Sequence, residues 1–276
     1  MTPFLKWVGG KRWLVDSKQL EVPRSYRRYI EPFLGGGAVF FRIRPRAALL
    51  SDLNSRLIEC YEVVRDDPEQ IKLLLEAHAS GHSKDYYYEV RAKAFGTKLE
   101  RAGQFLYLNR TCFNGIYREN LRGEFNVPKG SKDTVLFDND DFLAWSNALQ
   151  GVSLETKDFE VAIDEANEGD FVFADPPYTV RHNRNGFIKY NQKMFSWEDQ
   201  QRLARALKSA AERGVNFVLT NADHPVVREL YEGFEEKRSV ARTSLVAANA
   251  TNRSKTTELL VSSRSANSDT KWETAN

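Results

Sequence analysis

The chain has 276 residues, 28% of them charged and 41% hydrophobic, enough to bury a good core as one large domain or one domain with an insertion. Its two cysteines, Cys60 and Cys112, are too few for a disulfide framework, and no Cys/His cluster has metal-ligand spacing, so no metal is expected. A net charge of +2 does not by itself announce a nucleic-acid binder, and no apolar run approaches a signal peptide or a membrane span, which leaves the cytoplasm as the expected location.

Arg28 to Phe33 reads as a short strand that breaks at Gly35-Gly36-Gly37, and Ala38-Val39-Phe40-Phe41 opens a helix. Ala47 to Ser51 is a second strand, ending at Asp52. Strand, glycine turn, helix, strand and acid make the opening βαβ of a Rossmann-like α/β sheet, with Asp52 placed to accept from ribose hydroxyls. The glycines let the backbone approach a ligand where a Cβ would collide. Neither G-x-G-x-x-G nor G-K-[ST] is present, so a nucleoside ligand fits better than a dinucleotide or a triphosphate.

From Asn54 to about Ser131 the alternation stops. Leu57 to Val64, Pro68 to Ala79, Tyr86 to Ala94 and Ala102 to Leu108 carry apolar residues at helical spacing. The stretch from Thr111 to Asn120 is then rich in Gly, Asn and aromatics, and Asn114-Gly115 and Arg122-Gly123 are turn signals for a projecting hairpin or loop. From Arg91 to Lys132 nine Lys/Arg face three Glu, so this stretch carries +6 and the remainder −4. A local phosphate-facing surface has that signature, and so does a solvated helix face followed by a loop. The segment reads as a mainly helical insertion.

The α/β pattern resumes with Val152 to Thr156 and Phe171 to Ala174. Ser196 with Asp199 three residues on marks a helix start, and Leu203, Ala206 and Leu207 share one face of that helix. Asn216 to Thr220 is the next strand; Lys237 to Thr243 and Glu258 to Ser262 are the last two, expected to be antiparallel. The polar tail from Ser263 to Asn276 is expected to be loose, and His78, His82, His182 and His224 are expected on surfaces or loops.

The most informative string is Asp175-Pro176-Pro177-Tyr178, directly after the apolar run Phe171 to Ala174. Two prolines cannot continue a sheet ladder, so the strand stops there and leaves a carboxylate, a carbonyl and an aromatic ring at its carboxyl end, where open α/β folds place ligands. Methyl transfer to an exocyclic amine wants this trio. Adenine N6 is a poor nucleophile because its lone pair is delocalised into the ring, and acceptors on its two N–H groups, here Asp175 and the Pro176 carbonyl, turn that lone pair towards an electrophile. Tyr178 is then placed to stack on the base. A plain strand-to-loop turn with a solvated Asp and a packed Tyr is the other reading of so short a string.

Six blocks in order make the chain resemble the Dam-type DNA adenine N6-methyltransferases over nearly its whole length. They are Phe4-Leu5-Lys6-Trp7-x-Gly9-Gly10-Lys11, Glu31-Pro32-Phe33-x-Gly35-Gly36-Gly37-Ala38-Val39-Phe40, Ser51-Asp52-x-Asn54, Leu106-Tyr107-Leu108-Asn109-Arg110, Arg122-Gly123-Glu124-Phe125-Asn126-Val127-Pro128, and Asp175-Pro176-Pro177-Tyr178. The resemblance implies a Rossmann-like methyltransferase domain from residues 1–54 and 135–276, with an inserted target-recognition domain at 55–134. It implies S-adenosylmethionine as cofactor, with Trp7, Lys11, Phe33, Gly35, Gly36, Gly37, Asp52 and Asp175 around it. Asp175, Pro176, Pro177 and Tyr178 form its catalytic motif. The substrate it implies is double-stranded DNA whose target adenine leaves the helix, a step that costs a few kcal/mol.

Phe113 matches the aromatic position that fills the resulting gap, and Tyr190 and Phe195 are candidates to close the pocket. Lys6, Asn114, Ile116, Arg118 and Pro128 match the reading positions of enzymes that methylate GATC, with Arg118 the strongest because Arg bidentate to guanine is the commonest specific base contact. Where the family has Tyr and Leu this chain has Phe113 and Ile116, and both changes keep the positions apolar, so GATC remains the expected site. Arg110, Arg122, Lys129 and Lys132 read as phosphate contacts or loop structure. A monomer suffices for such an enzyme, and a restriction endonuclease is a candidate partner. Two rival readings stand beside this one: an amine methyltransferase acting on RNA, protein or a small molecule, and a DNA-binding module without catalysis.

Overall fold

A computed structural model of the chain describes residues 1–120, 123–179, 195–234, 236–243, 255–264 and 270–275. Tyr190, Arg122 and His182, named above, lie outside the described residues. The chain forms two compact units, the first from Met1–Gly10, Leu34–Arg44 and Asn54–Thr156, the second from Lys11–Phe33, Pro45–Leu53 and Lys157–Asn276. The unit that contains residues 55–134 thus also takes in residues from the amino terminus, the glycine turn and the stretch 135–156.

The second unit is built on one sheet. Its strands are β2 (Tyr29–Glu31), β3 (Ala48–Asp52), β5 (Phe171–Ala174), β6 (Asn216–Ala222), β7 (Glu236–Thr243) and β8 (Lys255–Ser262), in the order β3-β2-β5-β6-β8-β7. The pairings β3-β2, β2-β5 and β5-β6 are parallel, and β6-β8 and β8-β7 are antiparallel. The short strands β2 and β5 are buried along their whole length, as continuous apolar runs in a covered parallel sheet must be. One face of the sheet, with Val172, Ala174, Phe217, Leu219, Leu259 and Val261, packs against the helices α8 (Phe159–Asp164), α9 (Trp197–Glu212) and α10 (Pro225–Leu230). Helix α9 starts at Ser196, where Ser196 and Asp199 form a reciprocal capping box, and it buries Leu203, Ala206 and Leu207 as their spacing predicts.

The tail departs from expectation. Trp272–Thr274 (β9) pairs antiparallel with Glu21–Pro23 (β1), the Ala275 amide donates to the Leu20 carbonyl at 2.9 Å, and Trp272 packs edge-on against Phe171. Composition made this segment look loose, but a strand three residues long needs only a partner edge and one anchoring aromatic.

The first unit is helical, with the strand β4 (Val152–Thr156) among its elements. Helices α3 (Ser55–Asp66), α4 (Pro68–Gly81), α5 (Lys84–Ala92) and α6 (Lys98–Thr111) follow one another, and α7 (Phe142–Leu149) closes the group. Their starts are written in the chain. Asn54 and Ser83 cap α3 and α5, Pro68 opens α4, and Thr97 with Glu100 forms a capping box on α6. Phe4 packs on Phe41, Tyr61 and Trp145 in the core of this unit. His78 is buried inside α4 instead of lying on a surface, stacked on Tyr107 and hydrogen-bonded to the Tyr86 hydroxyl. Burial holds its pKa down, at about 4. Among the described residues no helix is long and apolar enough to cross a membrane, and no group of His, Cys, Asp and Glu could hold a metal ion.

Candidate active site

Strand register assembles the chemistry of the second unit. Ala174 on β5 lies opposite Leu219 on β6, so Asp175, the next residue along, stands level with Thr220. Across the antiparallel pair, Ala222 lies opposite Glu258. Because side chains alternate along a strand, Asp175, Thr220 and Glu258 share the face opposite to Ala174, Leu219 and Leu259. Three strands distant in sequence thereby present two acids and a hydroxyl to one place.

Lys11, just ahead of the short helix α1 (Arg12–Asp16), completes the group. Its ammonium lies 2.8 Å from Asp175 Oδ1 and 3.5 Å from Glu258 Oε2, with Lys11 and Glu258 each only 3% exposed. Thr220 Oγ1–H donates to the same Asp175 oxygen at 2.7 Å. Among the described residues both of these contacts fall on Oδ1, while the carboxylate as a whole keeps 18% of its surface. The Tyr178 hydroxyl donates to Glu258 Oε2 at 2.7 Å, and Lys11 Nζ sits over the Tyr178 ring, 5.0 Å from its centroid.

Burial raises the Asp175 carboxyl pKa and the Glu258 charge adds to that, while Lys11 and Thr220 pull it back. The Tyr178 phenol is raised well above its ordinary value, mainly by burial and then by the charges of Asp175 and Glu258, so it stays a donor. On the neighbouring strands, Asp52 ends β3 and Phe33 follows β2, packed against Phe159 and Phe195 at centroid distances of 5.2 and 5.6 Å.

In the first unit, residues 111–120 and 123–130 pair as the two arms of a hairpin. Cys112 bridges Lys129, Glu119 bridges Phe125, and the Asn126 amide donates to the Arg118 carbonyl at 3.1 Å. Its first turn is the 3-10 segment Phe113–Gly115, with Asn114 and Gly115 at φ 55° and 64°. Phe113 is 52% exposed, an unusual place for a large aromatic ring. Asn114, Arg118 and Pro128 are exposed, and Ile116 is half-buried. The Arg118 guanidinium is steadied by Asn126 Oδ1 at 2.8 Å.

The hairpin base is clamped. Asn109, fully buried, accepts from the Lys6 amide at 2.9 Å and donates to the Lys6 carbonyl at 2.7 Å, and a Cβ on Gly115 would lie 2.7 Å from Lys6 Cβ. Burial, then the charges of Lys132 and Arg110, lower the Lys6 pKa. Arg110, also buried, forms an ion pair with Asp140 and donates to the carbonyls of Val135 and Phe4. It is therefore a structural cation, and the sequence alone had left it open between that and a phosphate contact.

The glycine turn serves the protein itself. A Cβ on Gly35, at φ 47°, would lie 2.6 Å from the Trp7 ring, one on Gly36 would press on Trp7 Cβ, and one on Gly37 would lie 2.8 Å from the Tyr61 hydroxyl. Trp7 stacks in turn on Tyr117. The structure thus brings Lys11, Asp175 and Tyr178 together, and gathers Lys6, Phe113, Asn114, Ile116, Arg118 and Pro128 on or beside one hairpin. Sequence reasoning missed Glu258 and Thr220 as site residues. The available signal was an acid directly before the apolar run Leu259-Leu260-Val261, since a carboxylate within a buried strand needs a partner.

Comparison with known proteins shows the family of the chain. The model of the D12 class N6 adenine-specific DNA methyltransferases matches residues 7–245. A Type II methyltransferase of Lactococcus lactis subsp. cremoris, M1.LlaDCHI, is 39% identical over 95% of both chains. M.MjaIII, a Type II methyltransferase of Methanocaldococcus jannaschii, is 35% identical over 87% of this chain and 91% of its own. A DNA adenine methylase of Haemophilus influenzae is 33% identical over 94% of this chain and 92% of its own. The chain therefore belongs to the D12 class N6 adenine-specific DNA methyltransferases and is an enzyme that methylates adenine in DNA.

Proposed function

We propose that this methyltransferase uses S-adenosylmethionine to methylate an adenine swung out of duplex DNA, at the site GATC. The observation that carries the reading is the Asp175 carboxylate at the end of β5, whose contacts from Lys11 and Thr220 both fall on Oδ1 among the described residues. Oδ2 is then the acceptor for one N6–H, and the Pro176 carbonyl for the other. Two fixed acceptors rotate the amine lone pair out of the ring plane and hold it in line, an orientation that contributes by proximity and preorganisation. Tyr178 supplies the stacking platform, and Phe113 on the hairpin fills the place the base leaves. Each stacking contact is worth about 1–3 kcal/mol, against an unstacking cost of a few kcal/mol.

The cofactor fits the second unit's own carboxyl edge. Asp52, Phe33 and Asp175 follow the three adjacent parallel strands β3, β2 and β5, giving an acid for ribose hydroxyls, an aromatic wall and a second acid. Asp52 and Phe33, with Lys11 and Asp175, are assigned to the cofactor here. S-adenosylmethionine supplies a methyl group already activated on a sulfonium. Lys6, Asn114, Ile116, Arg118 and Pro128 are assigned to reading bases, within a recognition domain of residues 55–134. The enzyme is proposed to act as a monomer in the cytoplasm, and the Type II methyltransferases among its relatives favour a place beside a restriction endonuclease.

The test is methyl transfer from labelled S-adenosylmethionine to duplexes that contain GATC or carry the same site with its adenine replaced, with Asp175→Ala as the blank. Label on N6 in the GATC duplex alone, lost in the variant, supports the chemistry and the site. Label on DNA without GATC retains the chemistry and overturns the site. As burial raises the Asp175 pKa in the free enzyme, the acid limb of kcat/KM is expected above the ordinary carboxylate range of about 4.

A further inference from the structure

Glu258 has no place in the reaction as described, yet it is among the most deeply buried charges of the second unit. A buried carboxylate is costly unless it is paired and hydrogen-bonded, and this one receives both the Tyr178 hydroxyl at 2.7 Å and the Lys11 ammonium at 3.5 Å. An aromatic ring held by packing alone can still rotate and slide. A phenol anchored through its hydroxyl to a carboxylate on a sheet strand has its plane and depth set. The Lys11 ammonium, 5.0 Å from the centroid of the Tyr178 ring, adds a second fixed contact to the one its hydroxyl makes.

We infer that Glu258 is a positioning residue for Tyr178, holding the ring in the plane against which the extruded adenine is presented to Asp175. The inference deepens the proposed function and rests on its reading of Tyr178 as the base platform. Glu258 is fit for this because β8 is hydrogen-bonded to β6, with Glu258 opposite Ala222, so the anchor belongs to the same rigid sheet as Thr220, which holds Asp175. The acceptor of the amine and the platform for the ring are thereby registered to each other through adjacent strands.

Glu258→Gln, Tyr178→Phe and the double variant test it, with kcat and the Kd for S-adenosylmethionine measured on each. Loss of a hydrogen bond to a charged group predicts a fall in kcat of about tenfold for either single variant, with cofactor Kd within about twofold of the parent. If Glu258 acts through the phenol, the double variant is no slower than the worse single one. Fully additive losses, or a Glu258→Gln defect in cofactor Kd with kcat unchanged, assign Glu258 to Lys11 alone and overturn the inference. Should Glu258→Gln fail to fold, Tyr178→Phe decides: unchanged kcat overturns the inference, and a selective loss of kcat supports it. A parent enzyme that binds cofactor yet methylates no DNA overturns the underlying reading instead, and is distinguished by that parental result.

Discussion

The buried polar group of the second unit, proposed to carry the chemistry, and the hairpin of the first, proposed to read bases, are built on opposite plans. Lys11, Asp175, Thr220 and Glu258 come from four separate parts of the chain, are largely buried, and satisfy one another. The described residues of the hairpin are near neighbours in sequence, the side chains proposed to read bases are mostly exposed, and the bonds are local, as between Arg118 and Asn126. Chemistry that must hold an amine to a fraction of an ångström needs strand ends locked by register. Recognition needs a surface whose side chains can change without disturbing the sheet. The difference teaches that activity and site choice should separate under mutation.

Removing the acceptor is the largest expected effect. Asp175→Ala should lower kcat by about 10²–10³-fold or more, while binding to duplex DNA, measured by anisotropy, stays close to the parent. Equal loss of both would show that the two regions are not separable. Next comes the buried support of the hairpin base: Arg110→Ala strands the Asp140 carboxylate and should cost about 3–5 kcal/mol in denaturant unfolding. A smaller effect is expected at the reading side chain. Arg118→Ala should lose about 1–3 kcal/mol of discrimination between the preferred site and a site with its guanine replaced. Thermal stability should not change, which a melting curve checks.

The subtlest effect is on acid stability of the first unit. His78 has its folded pKa lowered from 6.5 to about 4, so the unfolded chain takes up its proton first as pH falls. Its contribution to stability is full above pH 6.5, is lost progressively below that, and is gone once pH passes below about 4. Replacing it with an uncharged residue, His78→Gln, should flatten that part of the stability profile, and an unchanged slope would assign acid sensitivity to other groups.

Much of this was legible before any coordinates. Helix starts were readable because capping is local: Thr97 with Glu100 and Ser196 with Asp199 satisfy backbone donors within one turn. The end of β5 was readable because two prolines forbid a further ladder bond. Trp272–Thr274 was not, since nothing in a polar tail says that Glu21–Pro23 offers it an edge. Nor was the burial of His78, which a ring of tyrosines from other helices creates.

The amino-acid sequence by itself determined the alternation of strands and helices, the position of the Asp175 to Tyr178 motif, and the basic, aromatic character of the hairpin, because periodicity, proline chemistry and charge act over a few neighbouring residues. Only the tertiary structure decided which groups meet. Glu258 lies 80 residues from Tyr178, and their bond exists because β8 aligns beside β6 with Glu258 opposite Ala222. Register between distant strands is a property of the assembled sheet, set by which apolar faces must be buried together, and it is this that brings an acid in the middle of β8 to the hydroxyl of Tyr178.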